Sequence, residues 1–140
     1  MSESICATGK RLRTLVLALM LSVMMLLAAT PAGASSTLFT YSGSGIWSKA
    51  SVSTATLSSA SECYVRHTQS RNNKGTDRQM TVSIQLSDGW FSYETVGSKT
   101  FSNEVTNQVF STYCAKGTYR LYFYTGSAYS KFDISGTFYH

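Results

Sequence analysis

His67 and His140 are the only imidazoles in the 140-residue chain, and His140 is its last residue. A Ser–His–acid site needs an imidazole held by a carboxylate and aimed at a serine hydroxyl. Serines abound, but none sits in a Gly-x-Ser-x-Gly setting. Tyr41-Ser42-Gly43-Ser44-Gly45 comes nearest and reads as a flexible turn. Cys63 and His67 lie four residues apart. On a helix that spacing shares a metal ion; on a strand the two point to one side but stand too far apart to chelate. Glycoside cleavage needs two carboxylates flanking the scissile bond. Beyond residue 34 the acids are Glu62, Asp77, Asp88, Glu94, Glu104 and Asp133, scattered along the chain, with Asp88 taken up by a turn signal. No catalytic residue, metal site or cofactor is expected, and the chain reads as non-enzymatic.

Residue types that bind rather than react are better represented. Tyr122 and Tyr124 have the parity opposite to the apolar face of their segment, with Arg120 beside them, and Trp90 falls on the polar side of its own. Flat exposed rings with donors nearby stack on sugars or pack against a protein partner. A second candidate surface is basic: Arg66, Arg71, Lys74 and Arg78 surround the turn signal Asn72-Asn73-Lys74-Gly75, with only Asp77 opposing them. Such a knob would dock on an anionic envelope component or an acidic protein surface.

These side chains need elements to position them, and the pattern is that of strands. Met80, Val82, Ile84 and Leu86 alternate with Thr81, Ser83, Gln85 and Ser87. A period of two marks a half-buried strand. Asp88-Gly89 follows, a dipeptide that favours a two-residue hairpin turn, and Trp90 to Val96 returns. That turn predicts Ser87 opposite Trp90, Leu86 opposite Phe91, Ile84 opposite Tyr93 and Val82 opposite Thr95. A second hairpin is predicted from Thr118–Tyr124 and Lys131–Tyr139 around Gly126-Ser127. A third strand, Glu62 to Gln69, puts Cys63, Val65 and His67 on one side and Tyr64, Arg66 and Thr68 on the other. Weaker strands are read at Leu38–Tyr41, Ile46–Val52 and Tyr113–Ala115. Phe101 to Phe110 fits either a helix or a strand, and its β-rich surroundings favour the strand. About seven or eight short antiparallel strands then predict an all-β sandwich, with a small closed barrel as the alternative.

The N-terminus gives an address. Lys10, Arg11 and Arg13 precede an apolar run from Leu15 to Leu27, and Ala32-Gly33-Ala34 follows. A basic segment, a short apolar segment and a small-x-small site make a secretory signal peptide (residues 1–34) with cleavage expected after Ala34. The apolar run is shorter than the roughly 20 residues of a membrane span, so no span is expected after processing. Residues 35–140 then form one domain. Removing the leader takes three of twelve basic residues and one of seven acids, leaving a net charge of +3, too small to argue for a nucleic-acid partner.

Export also bears on the sulfurs. Cys6 leaves with the leader, and Cys63 with Cys114 would pair as one disulfide in an oxidising compartment. Its loop of about 50 residues would stabilise by on the order of 4 kcal/mol on the chain-entropy argument. The leader and Gly117-Thr118-Tyr119-Arg120-Leu121-Tyr122-Phe123 give the chain a general likeness to small exported bacterial sandwich domains, which implies a fold class only. The expected function is a secreted, non-enzymatic binding or cell-surface protein, with an extracellular protein, glycan or envelope component as partner. A secreted antagonist of the bacteriocin or toxin kind is the first alternative. An enzyme inhibitor or hydrolase is the second.

Overall fold

Alternation decides which side of each strand is wet. In the computed structural model, which describes residues 35–72 and 78–140, Cys63, Val65, His67 and Gln69 are buried while Tyr64, Arg66 and Thr68 point outward. They belong to β4 (Ser61–Arg71), the long central strand of one sheet. Beside it run β9 (Phe132–Tyr139) and then β1 (Thr37–Ile46) on one side, and β7 (Val105–Cys114) on the other, giving the order β1-β9-β4-β7. The second sheet has the order β2-β8-β5-β6, from β2 (Ser48–Ala50), β8 (Gly117–Tyr124), β5 (Gln79–Ser87) and β6 (Tyr93–Ser102). The short β3 (Ala55–Leu57) continues its edge along β8. All pairings are antiparallel. The result is an all-β, sandwich-like pair of sheets, with no helix and no closed barrel among the described residues.

The core lies between the layers. One sheet contributes Phe39, Val65, Ile134 and Phe138; the other contributes Met80, Val82, Ile84, Leu121 and Phe123. One long side of the sandwich is pinched shut where β6 crosses β7. A Cβ on Gly97 would stand 2.7 Å from the Thr112 Cβ, and the Thr112 hydroxyl donates to the Val96 carbonyl at 3.3 Å. A side chain at position 97 would collide with that of Thr112, so the close approach needs glycine there.

Several expectations are corrected by this topology. Asp88-Gly89 does not close a two-residue turn: Ser87 faces Tyr93 and Leu86 faces Glu94, so the connection spans five residues, 88–92. The pairing shifts by one residue between Ile84 and Gln85, and Val82 faces Lys99, not Thr95. The competing influence is the Asp88 side chain, which hydrogen-bonds within the loop and favours the longer turn. β8 and β9 are not a hairpin; they lie in different sheets. Phe101 and Phe110 are likewise split between β6 and β7, whose turn at Asn103 (φ 60°) carries the chain from one sheet to the other.

The disulfide is also corrected. Cys63 and Cys114 are buried free thiols 3.4 Å apart. A sulfur–sulfur bond is about 2.05 Å long, so this is a non-bonded contact. Both residues sit on adjacent strands of the same sheet, Cys63 opposite Thr112 and Cys114 opposite Ser61. They therefore pack as small apolar groups within one layer and do not tie the layers together. Residues 1–34, expected to be a leader, and residues 73–77, which hold Lys74, Asp77 and most of the expected turn, lie outside the described residues.

Candidate functional site

The 88–92 loop is built around one carboxylate. The Trp90 amide donates to Asp88 Oδ1 at 3.4 Å, the Ser92 hydroxyl donates to Asp88 Oδ2, and the Asp88 amide donates to the Ser92 carbonyl at 3.2 Å. Gly89 donates its amide to Ser87 Oγ at 3.3 Å and has a φ of 98°. Phe91 also has positive φ, at 63°, where a bulky residue is strained. This frame turns two rings into solvent: Trp90 is 86 % exposed and Phe91 97 %. The rings meet nearly edge-on, 6.4 Å between centroids at 83°.

The other candidate binding residues lie on the outer face of the five-stranded sheet. Arg120 lies with its guanidinium 3.5 Å from the centre of the Tyr93 ring, and its Nε donates to Gln85 Oε1 at 2.9 Å. Tyr122 shares a 2.7 Å hydrogen bond with Ser48 Oγ. Tyr124 is 45 % exposed beside a shallow hollow of about 220 Å³ that Thr81, Thr100 and Gly126 help to line. Tyr124 pairs with Thr81, whereas the loop follows Ser87. At about 3.3 Å per residue, Tyr124 and Trp90 stand roughly 20 Å or more apart along the sheet. The predicted aromatic group is therefore not one patch. Arg120 and Tyr122 brace the sheet, Tyr124 borders a hollow at one end, and Trp90 protrudes at the other.

The basic residues are dispersed as well. Arg66 is on the outer face of the other sheet, between Val109 and Thr137, with its guanidinium 5.6 Å from the centre of the Tyr139 ring. Arg71 ends β4, and the Arg78 carbonyl accepts from the Asn103 amide at 2.6 Å. Of the expected knob, Arg71 and Arg78 flank the undescribed segment and Arg66 stands apart.

A polar group inside the core went unread in the sequence. The Tyr41 hydroxyl lies 2.8 Å from His67 Nδ1, His67 Nε2 lies 3.0 Å from Gln69 Oε1, and Gln69 Nε2 donates to the Asn103 carbonyl at 2.6 Å. Burial depresses the His67 pKa to about 4 and pushes the Tyr41 phenol above its usual value. A neutral imidazole between a phenol and an amide, with no carboxylate behind it, is not a general base of the triad kind. The available signal was inward parity at three polar positions, Tyr41, His67 and Gln69. An open cleft of about 190 Å³ lies nearby between the layers, lined in part by Tyr41, Ile46, Lys49 and Phe123. It is smaller than the usual ligand pocket of roughly 300–1,000 Å³. Among the described residues no three His, Cys, Asp or Glu side chains group as metal ligands.

No family model and no curated protein matches the chain. The solved structures similar to it in part include PirA and a mitogen. PirA aligns with a TM-score of 0.47 at 8 % identity, over 73 % of this chain and 94 % of that one. The Yersinia pseudotuberculosis-derived mitogen (YPM) aligns with a TM-score of 0.43 at 14 % identity, over 71 % and 83 % of the respective chains. At these values neither likeness bears on function.

Proposed function

We propose that residues 35–140 are a secreted, non-enzymatic binding domain whose contact is made by the Trp90–Phe91 loop. One observation carries this reading: two large rings stand almost wholly in water on a loop braced by its own carboxylate. Exposed aromatics are unfavourable unless something covers them, and a left-handed Phe91 adds strain that a purely connecting loop has no need of. Burying one such ring is worth roughly 1.5–3 kcal/mol. The pair together would supply on the order of two to four powers of ten in affinity. Because the frame already fixes the loop, little ordering entropy opposes docking. Secretion is read from the composition of residues 1–34.

The test is the double substitution Trp90→Ala/Phe91→Ala. Both side chains lie outside the core, so the melting temperature should hold within a few degrees. Retention of the purified domain on whole cells should fall at least tenfold. Retention equal to that of the parent would remove the reading.

A further inference from the structure

We infer that the Trp90–Phe91 loop is a lipid-surface anchor, inserting its two rings into the interfacial layer of a bilayer. This rests on the binding reading above and names its partner class.

Three observations favour lipid over the other occupants. The first is polar self-sufficiency. A segment entering the interface leaves water behind, so its backbone and side-chain polar groups must find partners within the protein. The loop meets much of that demand itself. The amides of Asp88, Gly89 and Trp90 are all bonded to loop or loop-flanking oxygens, and both Asp88 carboxylate oxygens accept. The only hydroxyl in the loop, on Ser92, donates to Asp88.

The second is ring geometry. Sugar stacking uses a flat ring face with hydrogen-bonding groups beside it. Here the rings are edge-to-face at 83°, and the neighbouring polar groups are turned inward to the loop frame. The edge-on pair makes a wedge, not a platform.

The third is size. An aromatic side chain buries roughly 150–250 Å². Two of them fall short of the roughly 800 Å² per partner of a stable protein complex. A bilayer imposes no such minimum, and Trp is enriched at its interfacial layer because its ring is apolar and its N–H polar.

Charge selects the lipid. The loop carries Asp88, and Glu94 follows just inside β6. With carboxylates at the tip, insertion should not depend on anionic headgroups and should vary little with salt.

The experiment uses residues 35–140, which hold the nine strands and the core seen among the described residues, so that the apolar Leu15–Leu27 segment adds no lipid affinity of its own. Trp47→Phe leaves Trp90 as the single indole. The probe is phosphatidylcholine vesicles, followed by co-sedimentation and by Trp90 emission, with brominated lipid as a collisional quencher. Binding with a blue shift and quenching is expected, together with at least a tenfold loss of co-sedimentation in Trp90→Ser/Phe91→Ser. A parent domain that stays in the supernatant overturns the inference, and so does vesicle binding undiminished in the double variant. If vesicles are not bound but whole-cell retention still depends on the two rings, the partner is a protein or glycan: the lipid assignment fails and the binding reading stands. Loss of both removes both. Circular dichroism melting of each variant separates lost anchoring from lost folding.

Discussion

The Tyr41 hydroxyl reaches His67 Nδ1 at 2.8 Å across the full width of an intervening strand. Tyr41 is on β1 and His67 on β4, and both are paired with Gly136 of β9. With no side chain at Gly136, the tyrosine ring lies over that strand and fills its place. The network also fixes a tautomer. Gln69 Nε2 faces the carbonyls of Asn103 and Phe101, so its Oε1 must accept from His67 Nε2–H. Nδ1 is then the bare nitrogen, and the Tyr41 hydroxyl donates to it. Removing that hydroxyl strands a buried acceptor. Tyr41→Phe should lower stability by about 1–3 kcal/mol, read as a shift in the urea midpoint with an unchanged slope.

The same imidazole makes stability pH-dependent. Desolvation is the larger cause holding the His67 pKa at about 4, with the Gln69 hydrogen bond opposing it, against 6.5 for the free side chain. Between those values the unfolded chain binds a proton that the folded chain refuses. Stability is therefore full above about pH 6.5 and falls as the pH drops towards 4. The difference corresponds to a loss of about 3 kcal/mol. Denaturant titrations from pH 7.5 to 4 should show that slope, and His67→Gln, whatever its own stability, should flatten it. Asp133 acts lower down. Its Oδ1 accepts from the Ser44 hydroxyl, the Gly45 amide and Asn72, which hold its pKa below the usual carboxylate value. Its share is lost only as the pH falls further.

Gly136→Ala tests the crossing directly. A Cβ there would collide with the Arg66 carbonyl oxygen and the Tyr41 hydroxyl. The first belongs to backbone in a three-strand register and does not move aside. Destabilisation of about 1–3 kcal/mol or more is expected, as for other overpacked cores. Tyr41→Phe in the same chain should not rescue it, because the carbonyl collision remains. Rescue would mean that the Tyr41 hydroxyl alone sets the spacing.

The period-two runs at Cys63–Gln69 and Met80–Leu86 were legible because each strand buries one face, and burial is what alternation records. Partner choice was not. The hairpin expected of β8 and β9 fails because Leu121 and Phe123 face Ile134 and Phe138 across the core, and inward parity is the same whether two strands share a sheet or oppose one another. Trp90 was legible as an outward ring, but its position on a five-residue loop depends on Asp88 bonding to Ser92, which a dipeptide signal does not contain. Cys63 was placed correctly on the inner face. Its partner's parity could not say whether the two sulfurs bridge layers or lie side by side in one.

The thiols carry their own expectation. Cys63 and Cys114 are fully buried, and attack on a disulfide reagent requires an accessible thiolate. In residues 35–140, without reductant, neither should react while the chain is folded. Both should react once it is unfolded in guanidinium, giving two thiols per molecule by absorbance. Fewer than two after unfolding would show that the pair is bonded in solution.

Arg120 separates bracing from binding on the outer face. Its guanidinium is spent on the Tyr93 ring and on Gln85. A cation over an aromatic face at a partly exposed site is worth about 0.5–1 kcal/mol, with the hydrogen bond adding a comparable amount. Arg120→Ala should therefore lower stability by about 1–2 kcal/mol and leave cell retention unchanged at temperatures where the domain is folded. Tyr93→Leu should remove most of the same increment, and the double variant should lose less than the two singles added, because each removes the same contact. If Arg120→Ala instead abolished retention with the melting curve intact, the guanidinium would be a contact group, and the binding surface would extend from the loop onto the β8 face.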